Sequence, residues 1–246
     1  MKEARTRAYL LRAVDYRDAD RIVTLLTHDH GCISAVARSA RRSRKRFGGS
    51  LEGFMKLDVG LKFRRSDLAT LTDATVVEPH PGILADLRRI RAAGAGLELV
   101  RLVAPERQPD PELFAAVGVF LTAMSDAESN GAATLALAFC GHVVSLVGWT
   151  PDLDHCGVTG RRCPAAQAAY FDPGRGTIVS RDGGGGPVLL SGVARAAWKR
   201  SFVADWVPEA PWDAEICREV GEAIYRFIAA QTHKELSDAW RSALLQ

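Results

Sequence analysis

The sequence changes its period at PHPG, residues 79–82, and that change restricts the fold more than any other feature of the chain. Before it, β-branched and alternating apolar residues recur in short runs at 8–14, 21–27, 32–38, 51–63 and 68–78. The breaks between them (15–20, 29–31, Gly48 with Gly49, and Ser66 with Asp67) have turn chemistry. Five short strands so close together predict a small barrel or sandwich. After the two prolines, apolar residues return at spacings of three and four in 83–104, 111–124 and 131–149, which read as three helices of a bundle. Helical pattern also fills 191–202, 213–230 and 234–245. Between these groups, 150–187 shows no period and is expected to be irregular, with one short hairpin around 170–180. The prediction is an α+β chain: a strand domain at 1–80 and a helical domain at 81–246, the latter holding an irregular insert at 150–190.

Charge is divided along the same line. Up to Gly82 sixteen Lys/Arg stand against ten Asp/Glu; the remainder has sixteen against nineteen, and the whole chain carries +3. The excess is concentrated in SARRSRKRFGG, residues 39–49, which with the preceding residue contains Arg38, Arg41, Arg42, Arg44, Lys45 and Arg46 and no acid. Lys56, Lys62, Arg64 and Arg65 on the next strand pair extend it. Tyr9, Tyr16, Phe47, Phe54 and Phe63 are interleaved, Phe54 and Phe63 with core burial as their first expectation. A cationic loop on a small barrel, mixed with aromatic rings, suits a single-stranded nucleic acid. A solvated loop is the plain alternative. Six cations on six phosphates of a single strand would give a slope of about −4 in log K against log[salt], a loss of roughly 300-fold between 50 and 200 mM.

Other chemistries have less support. Five scattered cysteines, Cys32, Cys140, Cys156, Cys163 and Cys217, do not suggest a disulfide framework. His155, Cys156 and Cys163 offer three zinc donors with no second pair, so no metal or cofactor is expected. THDHG, residues 27–31, brings His28 and His30 near Asp29 but falls where a turn should join two strands, and a metal-assisted hydrolase built on it is a minor rival. GAG at 94–96 and GGGG at 183–186 lack the context of a phosphate loop. No catalytic residues are assigned and no enzymatic activity is expected. No window is uninterruptedly apolar over ~18 residues, so neither a membrane span nor a secretory signal is expected, which places the chain in the cytoplasm.

With these residues in view, AYLLRAVDYRDADRIVTLLTHDHGCISAVARSARRSRKRFGGSLEGF, residues 8–54, resembles the N-terminal domain of the RecO family of bacterial recombination mediators. VGWTPDLDHC, residues 147–156, is similar to that family's entry into its zinc region. The resemblance implies an N-terminal OB-fold and a helical C-terminal domain. It also implies binding of single- and double-stranded DNA, strand annealing, contact with the acidic tail of the single-stranded DNA-binding protein, and work with RecR, in some members RecF, to load RecA. The nucleoid would then be its place of action. It puts Arg38, Arg41, Arg42, Arg44, Lys45 and Arg46 in the family's basic loop. Of its four zinc ligands only Cys156 is matched; Thr159, Ser180 and Gly183 stand at the other three positions. A metal-free remnant of a zinc-finger-like module, packed around Trp149, Tyr170 and Phe171, is the expectation. An RNA-binding OB-fold module and a protein-interaction adaptor are the alternatives.

Overall fold

A computed structural model describes residues 2–63 and 68–245. The chain forms two compact units, one made of Met1–Ala85 and Val100–Ser125, the other of Asp86–Leu99 and Asp126–Gln246.

In the first unit, β1 (Lys2–Tyr16), β2 (Asp20–Thr27), β3 (Gly31–Ala37), β4 (Met55–Phe63) and β5 (Ala69–Pro79) close a barrel in the order β1-β2-β3-β5-β4. All neighbours are antiparallel except β3 and β5. This arrangement is consistent with an OB-fold. The alternating set Val23, Leu25, Ile33, Ala35, Leu57, Val59, Leu61 and Leu71 fills the barrel, each 3% exposed or less. All five strands lie where the alternation puts them, but β1 begins at Lys2 rather than Ala8. Its added stretch, KEARTR, is charged and shows no apolar alternation; it pairs with β4 and is flanked by the ion pairs Glu3–Lys62 (2.7 Å) and Arg5–Asp58 (2.6 Å). Exposed pairs of this kind contribute about 0–1 kcal/mol each. The ladder hydrogen bonds, which the pattern cannot display, supply the rest.

After α2 (Pro81–Leu84) and α3 (Leu87–Val103), α4 (Pro111–Asp126) opens on Asp110, whose carboxylate accepts the Leu113 N–H at 2.9 Å. Of the three helices expected to form one bundle, α4 falls in the barrel's unit and the next helix in the other. Phe114 packs on Tyr9 with ring centroids 4.8 Å apart, and Gly118 makes room for the Tyr9 hydroxyl, which a Cβ there would approach to 2.6 Å. Burial and Glu78 push that hydroxyl up to about 12. At the β2–β3 turn Gly31 has φ +66°, and a Cβ on it would lie 2.1 Å from the Gln108 carbonyl oxygen. Gly31→Ala therefore combines left-handed backbone with a clash against main chain. Chemical denaturation is expected to show a loss of at least roughly 1–3 kcal/mol.

In the second unit α5 (Ala132–Leu146) is the central helix, buried along nearly its whole length and packed by α6 (Gly192–Arg200), α7 (Ala214–Thr232) and α8 (Asp238–Leu244). The segment Ser129–Leu146 is long and apolar enough, by length and composition, to cross a membrane; 67% of it is buried inside the fold. Ser191 and Ser237 cap α6 and α8, their hydroxyls accepting the N–H of Ala194 and Trp240 at 3.2 Å. The region expected to be irregular is a four-stranded sheet: β6 (Asp152–Cys156), β7 (Ala169–Asp172), β8 (Thr177–Val179) and β9 (Val188–Leu190), in the order β6-β8-β7-β9. The expected hairpin is β7–β8. The other two strands escape detection because strands of three to five residues are too short for a period of two to stand out.

Candidate nucleic-acid interface

The basic run leaves β3 at Ser39, which has φ +54°, and contains one turn of helix, α1 (Arg44–Phe47), that stops at Gly48 with φ +34°. It is a built loop. Phe47 and Leu51 enter the barrel core at 3% and 5% exposure, fixing the loop to the barrel from below. The β1–β2 turn fixes it from the side: Asp20 accepts the Ser39 N–H at 2.7 Å, and the Ala19 carbonyl accepts the Arg41 N–H at 3.1 Å.

With the backbone held, the cations separate into those with acceptors and those without. Arg46 donates to the Arg38 carbonyl (2.8 Å) and to the Ser43 hydroxyl (3.1 Å). Arg41 lies 3.7 Å from Asp15. Arg38, Arg42 and Lys45 are exposed, and their side chains meet no acid or acceptor among the described residues. Their field is therefore directed at solvent. On the neighbouring strands Lys56 pairs with Glu78 (3.6 Å) and Lys62 with Glu3 (2.7 Å), so neither is a free cation. Arg64 and Arg65, with the turn residues Ser66 and Asp67, lie outside the described residues, and of Arg44 only the backbone is described.

The interleaved aromatics divide differently from the sequence expectation. Tyr9 and Phe47 are core, at 2% and 3% exposure; Phe63 is half-buried and packs against the barrel core as expected, and Phe54 is half-buried. Tyr16 is the exposed one, with the Arg17 guanidinium over its ring at 5.0 Å. Sequence reasoning also passed over Arg12, Arg17 and Arg21. Arg12 and Arg17 are exposed on β1 and its turn, while Arg21 joins Asp15 (3.0 Å) to Glu52 (3.5 Å). Charge counted along the chain did not single them out because Asp15, Asp18 and Asp20 are interspersed with them. An open groove of about 490 Å³ lies among Arg21, Arg41, Ser43, Gly48, Gly49 and Glu52.

At the β2–β3 turn His28 hydrogen-bonds Asp29 (2.8 Å) and packs edge-on against Phe114, whereas His30 packs against Phe63. Hydrogen bonds from Thr6 and then His28 hold the Asp29 carboxyl below its ordinary value. The two rings thus have separate packing partners.

In the second unit, the four positions matched to zinc ligands come together. The Cys156 sulfur accepts N–H bonds from Ser180 (3.3 Å) and Thr159 (3.5 Å), and the Ser180 hydroxyl lies 3.4 Å from it. A Cβ on Gly183 would stand 3.2 Å from the same sulfur. Burial acts to raise the Cys156 thiol, but the hydrogen bonds from Ser180 and Thr159 outweigh it and bring it to about 6. One thiol, one hydroxyl, a threonine and a glycine do not make a zinc donor set, and no group of three His, Cys, Asp or Glu among the described residues could hold a metal. Nor do His155, Cys156 and Cys163 converge. His155 turns to Asp152 (3.1 Å), and Cys163 accepts from Arg195 at 3.0 Å. Arg195 is only 2% exposed and also donates to the carbonyls of Leu153 and Gln167, both at 2.6 Å, and of Pro164 at 3.0 Å. The expected packing around Trp149, Tyr170 and Phe171 holds only for Phe171, which is buried against Trp198 and Phe227; the other two are half-buried.

Comparison with known proteins agrees along the chain. The family model for the N-terminal domain of recombination protein O matches residues 1–80, and that for its C-terminal domain matches residues 84–238. A DNA repair protein RecO of Geobacter metallireducens is 35% identical over 195 residues, 79% of this chain and 74% of the relative. One from Anaeromyxobacter dehalogenans is 39% identical over 178 residues, covering 72% and 68%. One from Myxococcus xanthus is 36% identical over 172 residues, covering 70% and 69%.

Proposed function

The chain belongs to the RecO family of DNA repair proteins, and from that premise we propose that it is a non-catalytic recombination mediator whose residues 1–80 bind single- and double-stranded DNA. The observation that carries this reading is the loop beside the barrel whose Arg38, Arg42 and Lys45 side chains have no partner among the described residues. Phosphate contacts of that kind give affinity without sequence. A cationic surface that holds two strands close and screens their repulsion, with Watson–Crick edges left free, promotes annealing. The helical part, 81–246, would meet RecR and the acidic tail of the single-stranded DNA-binding protein, so that RecA is loaded, with RecF as a further partner. In that part 150–190 is a zinc-finger-like module that has lost its metal, its ligand positions closed by the hydrogen bonds around Cys156 and its segments tied by Arg195.

The test is anisotropy of a labelled single DNA strand titrated across 50 to 200 mM salt, with RNA of the same sequence as competitor. Native protein should bind DNA with a slope of several units. Because Lys56 and Lys62 are already paired, Lys56→Ala with Lys62→Ala should change that slope by less than about one unit. Absence of binding would overturn the reading, and preferential displacement by RNA would replace it with an RNA-binding module.

A further inference from the structure

We propose that Tyr16, braced by Arg17, is a base-stacking platform that adds contacts to the bases of an unpaired strand; the proposal rests on the DNA-binding reading above. Tyr16 ends β1 and is 39% exposed, and its hydroxyl has no hydrogen bond among the described residues. The other aromatics of residues 1–80 are buried or half-buried. A large ring kept at the surface with an unused polar tip is not explained by packing. It is explained by a planar partner, for which every base offers a face.

The backbone supports the assignment. Arg17 has φ +52°, a left-handed conformation that side chains disfavour, and its guanidinium stands 5.0 Å from the centre of the Tyr16 ring. Five described non-glycine residues have positive φ, and three of them, Arg17, Ser39 and Phe54, lie on the β1–β2 turn and at the two ends of the loop segment. Backbone of this kind persists only where the surrounding structure over-determines it, and it clusters at ligand clamps and active sites. The turn that presents Tyr16 is the one to which the loop is hydrogen-bonded, through Asp20 to Ser39 and Ala19 to Arg41. Along β1, Val14 (43% exposed) and Arg12 alternate with Tyr16 on one side of the strand, adding apolar contact and charge. Phosphates on the loop and a base on the ring would then belong to one strand. A duplex, its bases already stacked, cannot use the ring.

The experiment compares a labelled thymidine homopolymer with an abasic strand of equal length, which carries the same phosphates and no bases, at one fixed salt concentration. Tyr16→Ala should weaken the homopolymer about 5- to 150-fold and leave the abasic strand unchanged. Tyr16→Phe, which keeps the ring, should bind both as the native protein does. Equal binding of the homopolymer by native protein and Tyr16→Ala overturns the platform and leaves the DNA-binding reading standing. An equal loss on both strands also overturns it, since the ring would then act through the fold or the charge of Arg17. If native protein binds neither strand, the reading beneath the proposal falls, and the platform with it.

Discussion

Changing Arg38, Arg41, Arg42, Lys45 and Arg46 to Ala in one variant is expected to flatten the salt dependence of single-strand binding by as much as about 3.5 units in log K against log[salt], at about 0.7 per phosphate contact. The native protein would then lose roughly 100-fold more affinity than the variant between 50 and 200 mM. The structure makes the expectation graded. Arg38, Arg42 and Lys45 have no partner among the described residues and should account for about two of those units. Arg41 and Arg46 are partly engaged, with Asp15 and with the Arg38 carbonyl, and should add less than a full share each. The loop itself is anchored by Phe47 and Leu51 and by the backbone bonds to Asp20 and Ala19, none of which the variant touches. Unchanged thermal unfolding with a flattened slope would locate the phosphate contacts here. A slope equal to the native one would remove the loop from the interface.

The second large effect concerns the second unit. Thr159→Cys, Ser180→Cys and Gly183→Cys together, with native Cys156, should create a tight zinc site. Main-chain N–H groups of residues 159 and 180 already point at the Cys156 sulfur, and the Cβ of residue 183 would stand 3.2 Å from it. Structural zinc in four-thiolate or similar sites contributes on the order of 10 kcal/mol of binding at neutral pH, part of which appears as stability. The variant should take up one equivalent of zinc, show cobalt–thiolate absorption, and melt at higher temperature with metal than without. The native protein should do none of these. Failure of the variant to hold metal would mean that the four positions are not a vestigial ligand set, and that the hydrogen bonds around Cys156 have another origin.

How far the sequence could be read depended on the range of the interaction. Alternation located all five barrel strands, since a period of two reports on which side of a strand faces the core and needs only neighbouring residues. It missed residues 2–7 of β1, whose pairing with β4 joins positions more than fifty residues apart, such as Arg5 and Asp58. Periodicity found α4 but could not say what it packs on, because an apolar face looks the same whether a barrel or a helix covers it. The short strands β6 and β9 carried no periodic signal at all.

The same division holds for the candidate site. The sequence by itself determined that the positive charge is concentrated in residues 38–46 and that this run joins two strands; both are matters of composition and order. The tertiary structure alone decided which cations are free. Lys56 and Lys62 meet Glu78 and Glu3 across strands, while Arg38, Arg42 and Lys45 meet nothing described, and of the aromatics only Tyr16 stays outside. The physical reason is that charge and ring count add along a chain, but neutralisation and burial depend on distances of a few ångströms between residues far apart in sequence, and the fold sets those distances.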